Sequence, residues 1–310
     1  MDKSVYLKKR YSLVGEHSAV KLCNWTRNSL VGKGVCYKEK FYGIKSHRCL
    51  QMTPAVAWCQ HSCVFCWRPT KFTLGDSMDK VVIDEPKKII EEAINAQRKL
   101  LIGFKGNDKV SKDKLKEALN PNQAAISLAG EPTLYPKINE LIKDFHAKGF
   151  TTFLVTNGLN SLVIKNLNPL PTQLYVTLPA SNKTDYVKIT KSTLGEKGFT
   201  NLVETLKILK TLKTRRVIRL TLVKGLNLKN AKEYAELIKL AEPDYVEAKA
   251  YMHVGSSIER LSRENMPSYE EIKLFSEELA KELSWKIIDS HEPSRVCLLA
   301  KKDSESRILG

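Results

Sequence analysis

The chain has 310 residues, 42% of them hydrophobic, and its 51 basic and 34 acidic side chains leave a formal net charge of +17. That length holds one large α/β domain or two smaller ones, and the apolar content is enough for a sizeable core. The first twenty residues carry Asp2, Lys3, Lys8, Lys9, Arg10 and Glu16 instead of an apolar run, and no stretch reaches the roughly 18 residues of a membrane span, so neither a secretory signal nor a membrane segment is expected and the protein reads as soluble and cytoplasmic.

The charge is uneven. Residues 1–50 hold 11 Lys/Arg against 3 acids, a net +8 in one sixth of the chain. Such a surplus suits a polyanionic partner, because neutralising phosphates releases counterions. Tyr6, Tyr11, Trp25, Tyr37, Phe41 and Tyr42 are interleaved with these cations, a mixture that can hold phosphates and stack bases, or cap a small core. Gly32-Lys33-Gly34 lacks the third glycine and the helical continuation of a phosphate loop. Cys23, Cys36 and Cys49 recur in this segment with twelve residues between neighbours, a regularity that suggests a metal centre.

Residues 54–58 (PAVAW) read as a short buried strand. Directly after it, Cys59, Cys63 and Cys66 stand at C-x3-C-x2-C, with Phe65 before the last. Three thiolates in one tight loop hold three irons of a [4Fe–4S] cube and leave the fourth iron open. A structural zinc site would need a fourth ligand from His47 or His61. A disulfide framework does not suit a chain of this length with seven cysteines, and Cys297, alone in an apolar run, reads as a buried thiol.

Strands and helices then alternate. Helices are expected over 85–101, 136–148, 197–212 and 229–240, and the capping box Ser268-Tyr269-Glu270-Glu271 opens one running to about 282. Strands are expected over 124–128, 151–155, 173–178, 216–223 and 244–250, with short ones near 285–288 and 295–300. Strand, helix and strand within a short span imply parallel pairing. Six such repeats suit a partial (β/α)6 barrel, with a doubly wound open sheet as the alternative. Three divisions are expected: a basic, irregular, cysteine-bearing extension over 1–50, the barrel over 51–290, and a C-terminal strand and tail over 291–310.

In barrels of this kind chemistry sits at the C-terminal strand ends. Three such ends carry polar residues in register behind the cysteine loop: 129–133 (AGEPT), Thr156-Asn157-Gly158, and 177–181 (TLPAS).

The cysteine loop after a predicted strand resembles that of the radical SAM enzymes, in which the amino and carboxylate groups of S-adenosylmethionine (SAM) chelate the open iron. Gly130, Glu131 and Thr133 fall in a segment similar to the G-G-E-P stretch that holds the methionine amino group, with Ala129 in place of the first glycine. The same resemblance carries Thr156, Asn157, Thr177 and Ser181 to the SAM pocket, although Pro179 stands where relatives often have an acid.

Phe65-Cys66-Trp67-Arg68, preceded by the stretch from Cys36 to Cys49, resembles more closely the archaeal family of SAM-dependent tRNA 4-demethylwyosine synthases, over essentially the whole chain. The resemblance implies that N1-methylguanosine beside the anticodon of tRNA(Phe) condenses with pyruvate to 4-demethylwyosine, through a 5′-deoxyadenosyl radical. It implies two [4Fe–4S] clusters, the second on Cys23, Cys36 and Cys49, and Lys38 as the pyruvate-binding lysine, with Lys40 and Lys45 as neighbours able to serve. Eukaryotic relatives carry a flavodoxin-like domain that this sequence lacks, so an external electron donor, flavodoxin- or ferredoxin-like, is expected, as is a monomer. Arg215 and Arg216 are expected to join the N-terminal cations in contacting tRNA. A zinc-bound RNA-binding module, an iron–sulfur electron carrier and another radical SAM enzyme acting on RNA are the competing readings.

Overall fold

The computed structural model describes residues 2–309. Its strands are β1 (Ser12–Val14), β2 (Ser18–Val20), β3 (Cys49–Thr53), β4 (Gln123–Ile126), β5 (Thr151–Thr156), β6 (Gln173–Thr177), β7 (Arg215–Leu222), β8 (Tyr245–Ala250), β9 (Lys286–His291) and β10 (Val296–Ala300). Its helices are α1 (Lys3–Lys8), α2 (Asn24–Leu30), α3 (Tyr37–Tyr42), α4 (Pro86–Leu101), α5 (Lys112–Ala118), α6 (Ile138–Ala147), α7 (Ser161–Lys165), α8 (Lys183–Thr190), α9 (Glu196–Leu209), α10 (Ala231–Ala241) and α11 (Tyr269–Leu283).

The strands form one sheet in the order β1-β2-β3-β4-β5-β6-β7-β8-β10-β9. β3 to β8 pair in parallel and in sequence order, as a partial (β/α)6 barrel does. A doubly wound sheet would reverse its strand order, and this one does not. Antiparallel strands extend both edges, β1 and β2 beside β3, and β10 and β9 beside β8.

Three expectations are corrected here. Residues 54–58 are not the first strand; β3 is, so Cys49 opens the barrel. Residues 54–58 are buried as a loop, with Val56 N–H donating to the His17 carbonyl at 2.9 Å. The division at residue 50 therefore cuts through β3, and the one at 290 cuts through β9. The N-terminal segment is not irregular either, because it supplies two strands of the sheet and three helices.

Alternation along each strand sorts the core into two layers. Leu154, Leu174, Val176, Ile218, Leu220, Val246 and Ala248 pack outward against the helices. Phe153, Tyr175, Val217 and Tyr245 point the other way and meet Tyr37, Phe41, Tyr42 and Ile44 from α3 and the residues after it. The N-terminal segment thus plugs the barrel with aromatics. Helix signals act as expected: Pro86 begins α4, and in α11 the Ser268 Oγ accepts from Glu271 N–H at 3.1 Å while the Glu271 carboxylate accepts from Ser268 N–H at 2.8 Å.

Candidate active site

The cysteine loop is fastened on several sides. Cys59 N–H donates to the Gly75 carbonyl, Ser62 N–H to that of Thr190 and Val64 N–H to that of Ile189, each at 2.9 Å. Arg68, which is 2% exposed, donates to the His61 carbonyl at 2.8 Å and to Thr73 Oγ1 at 2.9 Å. Arg260 donates to the Val64 carbonyl at 3.2 Å and to that of Cys66. His61 faces Tyr186 Oη at 2.7 Å, and burial pushes its pKa down to about 3, so it is neutral.

Cys59, Cys63 and Cys66 line a cavity of about 310 Å³ at the C-terminal ends of the strands. Burial pushes the Cys59 thiol up to about 11 and the Cys63 thiol well above its usual range. Arg68 opposes both shifts, and although burial works against its own charge, the charges of Cys59, Cys66 and Cys63 more than offset that. Cys59 Sγ also accepts from His61 N–H at 3.4 Å and from Asn157 Nδ2 at 3.9 Å.

The loop after β4 closes one wall. Gly130 has φ +68, and a Cβ there would lie 1.7 Å from the Ala55 carbonyl oxygen, so only glycine lets this turn lie against the segment leading to Cys59. Glu131, 2% exposed, accepts from Thr133 N–H at 3.1 Å, Thr133 Oγ1 and Thr156 Oγ1 at 2.6 Å each, and Asn157 N–H at 2.7 Å. Burial raises its pKa and these bonds oppose the rise. The carboxylate thus ties the β4 and β5 ends together.

Of the residues expected in the SAM pocket, Gly130, Glu131, Thr156, Asn157 and Thr177 line the cavity. Thr133 stands behind it, held by Glu131. Ser181 is not brought there: its hydroxyl donates to Glu233 of α10 at 2.6 Å. Arg219, Thr221 and Lys249 line the cavity unanticipated, as does Trp67. The signal for Arg219, Thr221 and Lys249 was a polar side chain two residues from another within an otherwise apolar strand, Arg219 and Thr221 in β7, Glu247 and Lys249 in β8.

The second cysteine set also converges. Cys23 precedes α2, Cys36 precedes α3 and Cys49 opens β3. Burial pushes Cys36 and Cys49 up to about 12, and each feels the charge of Cys23. All seven cysteines are free thiols. Among the described residues no three His, Cys, Asp or Glu side chains close on a single ion position. A cube that offers one iron to each thiolate does not ask that of them. His61 faces Tyr186 Oη and His47 faces Glu117, each at 2.7 Å through one ring nitrogen, and among the described residues neither belongs to a group of three side chains able to hold an ion. The donor sets, three free thiols each, fit [4Fe–4S] clusters with one open iron.

Lys38 lies between the second set and the barrel interior. It is 9% exposed, and its Nζ sits 4.6 Å from the Tyr175 ring centre and 5.0 Å from that of Phe153. Among the described residues this amine has no hydrogen-bond or ion-pair partner. Burial lowers its pKa and the Arg219 charge adds to that, while Glu247, Cys36 and Cys49 oppose. Lys40 and Lys45, by contrast, are engaged at the surface by Asp289 and Glu117. Lys38 does not line the 310 Å³ cavity; Arg219 and Lys249 do, and both bear on the Lys38 side as well. Fully buried Glu247 accepts from Tyr42 Oη at 2.8 Å, Tyr37 Oη at 3.2 Å and Arg219 Nε at 3.0 Å, fastening α3 to β7 and β8. Lys249 donates to the Ser294 carbonyl at 2.9 Å, and burial pulls its pKa to about 8.

Arg215 and Arg216 stand at the opposite, N-terminal end of β7, where Arg215 bonds Gln173 and the Ser306 carbonyl and Arg216 pairs with Asp244 at 3.1 Å. They lie at the other end of the strands from the cavity, and both are engaged within the chain.

A partial barrel with a three-cysteine loop at its C-terminal strand ends defines the radical SAM enzymes, and residues 54–238 match that superfamily. Residues 240–301 match the family described as wyosine base formation. The tRNA 4-demethylwyosine synthase of Pyrococcus horikoshii is 49% identical over 99% of this chain and 90% of its own length. That of Methanocaldococcus jannaschii is 42% identical over 96% and 94%. A solved structure of "TYW1 with a lysine-pyruvate adduct bound" superposes with a TM-score of 0.88 at 40% identity, covering 99% of this chain and 98% of that one. The chain belongs to the SAM-dependent tRNA 4-demethylwyosine synthase family.

Proposed function

We propose that this enzyme condenses N1-methylguanosine of tRNA(Phe), beside the anticodon, with pyruvate to give 4-demethylwyosine, with two [4Fe–4S] clusters and SAM. The observation that carries the pyruvate half is Lys38: a buried amine without an acceptor, held over two aromatic rings beside Cys36 and Cys49. The relative solved with a lysine–pyruvate adduct supports the same reading.

In this reading the neutral Lys38 Nζ attacks the C2 carbonyl of pyruvate. An N–C bond forms, the carbonyl oxygen departs as water with the two amine hydrogens, and an imine remains. The aromatic walls exclude water that would reverse the step. Glu247 holds the shelf that carries Lys38 by gripping Tyr37, its neighbour. Arg219 and Lys249 supply cationic wall between Lys38 and the cavity.

Cys59, Cys63 and Cys66 would hold one cluster, and Cys23, Cys36 and Cys49 the other. When bound, the first cluster supplies the electron that cleaves SAM, giving an adenosyl fragment able to take hydrogen from an inert methyl C–H. Gly130, Glu131, Thr156, Asn157 and Thr177 shape the wall beside it. A small external flavodoxin- or ferredoxin-like protein donates the electron. The enzyme acts as a cytoplasmic monomer. The target lies in a single-stranded loop, so extruding it costs little.

Borohydride reduction of the reconstituted enzyme in labelled pyruvate tests this reading. The label is expected on the peptide carrying Lys38, and Lys38→Ala should abolish it. Label confined to Lys249 or to surface lysines would contradict the assignment.

A further inference from the structure

A second concavity of about 240 Å³ opens next to the reaction cavity, lined by Lys8, Lys9, Arg10, Tyr11, Lys21, Trp67 and Gly255. Four of these side chains are cations and none is an acid. Lys21 is half-buried, donates to the Lys9 carbonyl at 2.8 Å and sits 4.7 Å from the Tyr11 ring centre and 5.0 Å from that of Trp67. After burial, the charges that lower its pKa are Arg27, Lys9 and Arg10, so the cluster repels itself. The nearby carboxylate of Glu259 is occupied by Lys71 at 3.3 Å. Asp2 acts on Lys8 and Glu259 on Lys9 from outside, but no carboxylate lines the groove itself, and like charges held together are relieved when an anion binds.

The groove is continuous with the site. Trp67, next to Cys66, lines both concavities, and its ring stacks on Tyr11 with 14° between planes. The Trp67 carbonyl accepts from Ser256 N–H at 2.9 Å, and a Cβ on Gly255 (φ +62) would lie 2.4 Å from that oxygen, so the 254–256 turn is pressed onto Trp67. Val254, on the same turn, lines the reaction cavity and is exposed.

We infer that this groove grips the sugar–phosphate strand flanking the nucleotide whose base enters the reaction cavity. The inference rests on the synthase reading and adds where the RNA is held. Its occupant is a polyanion in single-stranded form: the groove offers four cations along a short path and shares Trp67 with the reaction cavity. Trp67 marks the point where backbone ends and base begins.

The test compares Lys8→Gln/Lys9→Gln/Arg10→Asn with a control triple on the α6 and α7 surface, Lys143→Gln/Lys148→Gln/Lys165→Gln. Asn suits position 10 because Arg10 has φ +61, a conformation that Asn tolerates. The probe is an anticodon stem-loop RNA carrying N1-methylguanosine, with binding measured across salt concentrations. The groove variant should bind at least about tenfold more weakly, with a log–log salt slope shallower by about two, following roughly −0.7 per single-strand phosphate. The control triple should match the wild type. Should the groove triple fail to load iron, Lys21→Gln alone must still weaken binding, with a salt slope shallower by about 0.7, one phosphate's share. Wild-type affinity and slope in the groove variants would overturn the groove while leaving the synthase reading intact, provided the wild type still forms product. A wild-type enzyme that neither binds nor modifies the RNA would overturn both.

Discussion

Converting Glu247 to Gln tests how the barrel holds the segment that carries Lys38. The carboxylate is fully buried and accepts from Tyr42, Tyr37 and Arg219, with the closest Arg219 contact at 2.9 Å. Gln keeps the shape but turns an NH2 group toward donors and leaves the mostly buried Arg219, 15% exposed in its side chain, without its counter-charge. Breaking one side of a buried pair costs about 3–5 kcal/mol. At about 2 °C per kcal/mol for a large domain, the melting temperature should fall by about 6 °C or more. Replacing both partners by apolar residues, Arg219→Met with Glu247→Met, should cost clearly less than the sum of the two single changes, because neither charge is then stranded. Urea unfolding of protein with equal iron content, followed by circular dichroism, measures both. The borohydride-trapped yield at Lys38 should fall in Glu247→Gln even at temperatures where the fold persists, since Tyr37 is released. Glu247→Gln within about 0.5 kcal/mol of wild type, or strict additivity in the cycle, would refute the reasoning.

Three further outcomes are expected. Reconstituted wild-type protein should carry about eight irons, four per cluster, and any of Cys59→Ala, Cys63→Ala or Cys66→Ala should lose about half the iron and all SAM cleavage. Loss at Cys23, Cys36 or Cys49 should also halve the iron but spare SAM cleavage; a stoichiometry that stays near four in the wild type would count against the second cluster. Arg68→Gln should shift the potential of the SAM-binding cluster downward in an EPR redox titration, with Lys partly restoring it, because a buried cation beside the three thiols favours the reduced, more negative state. An unchanged potential would mean that Arg68 serves only to hold the loop. His17 is buried, faces the Pro54 carbonyl at 2.6 Å and accepts from Asp84 N–H at 3.0 Å, and burial lowers its pKa. The unfolded chain therefore takes up this proton first: the stability is present above about pH 6.5 and is lost as pH falls toward the folded-state pKa. His17→Gln should flatten that part of the stability–pH curve, and an unaltered slope would assign the acid sensitivity to other groups.

Much of the barrel was legible because strands buried on both faces read as apolar runs, as at β4, β5 and β6. The first strand was misplaced for the same reason. β3 (CLQMT) points Cys49 and Gln51 into the lumen and so lacks an apolar run, whereas 54–58 is apolar because a buried loop must pack there. α2 and α3 span only seven and six residues, too short for periodicity to declare them. The cysteine loop was legible from spacing alone, since three thiols so close in sequence must share a site. The second set was not fixed by spacing, because long gaps leave geometry open until β3 and the two helices bring the thiols together. Ser181 was expected from a strand-end position, but the chain turns there and Glu233 claims its hydroxyl. Arg219 and Lys249 needed the strand register, which tells lumen from exterior only once β7 and β8 are paired.

The most direct test of the central claim is to follow the nucleoside itself. The anaerobically reconstituted enzyme, a reductant, SAM, carbon-labelled pyruvate and tRNA(Phe) carrying N1-methylguanosine are incubated, and the digested RNA is analysed by liquid chromatography and mass spectrometry. Loss of N1-methylguanosine with appearance of 4-demethylwyosine bearing two labelled carbons, absent in Lys38→Ala, is the predicted result. SAM cleavage without any labelled nucleoside, or the tricyclic base formed unlabelled, would contradict it.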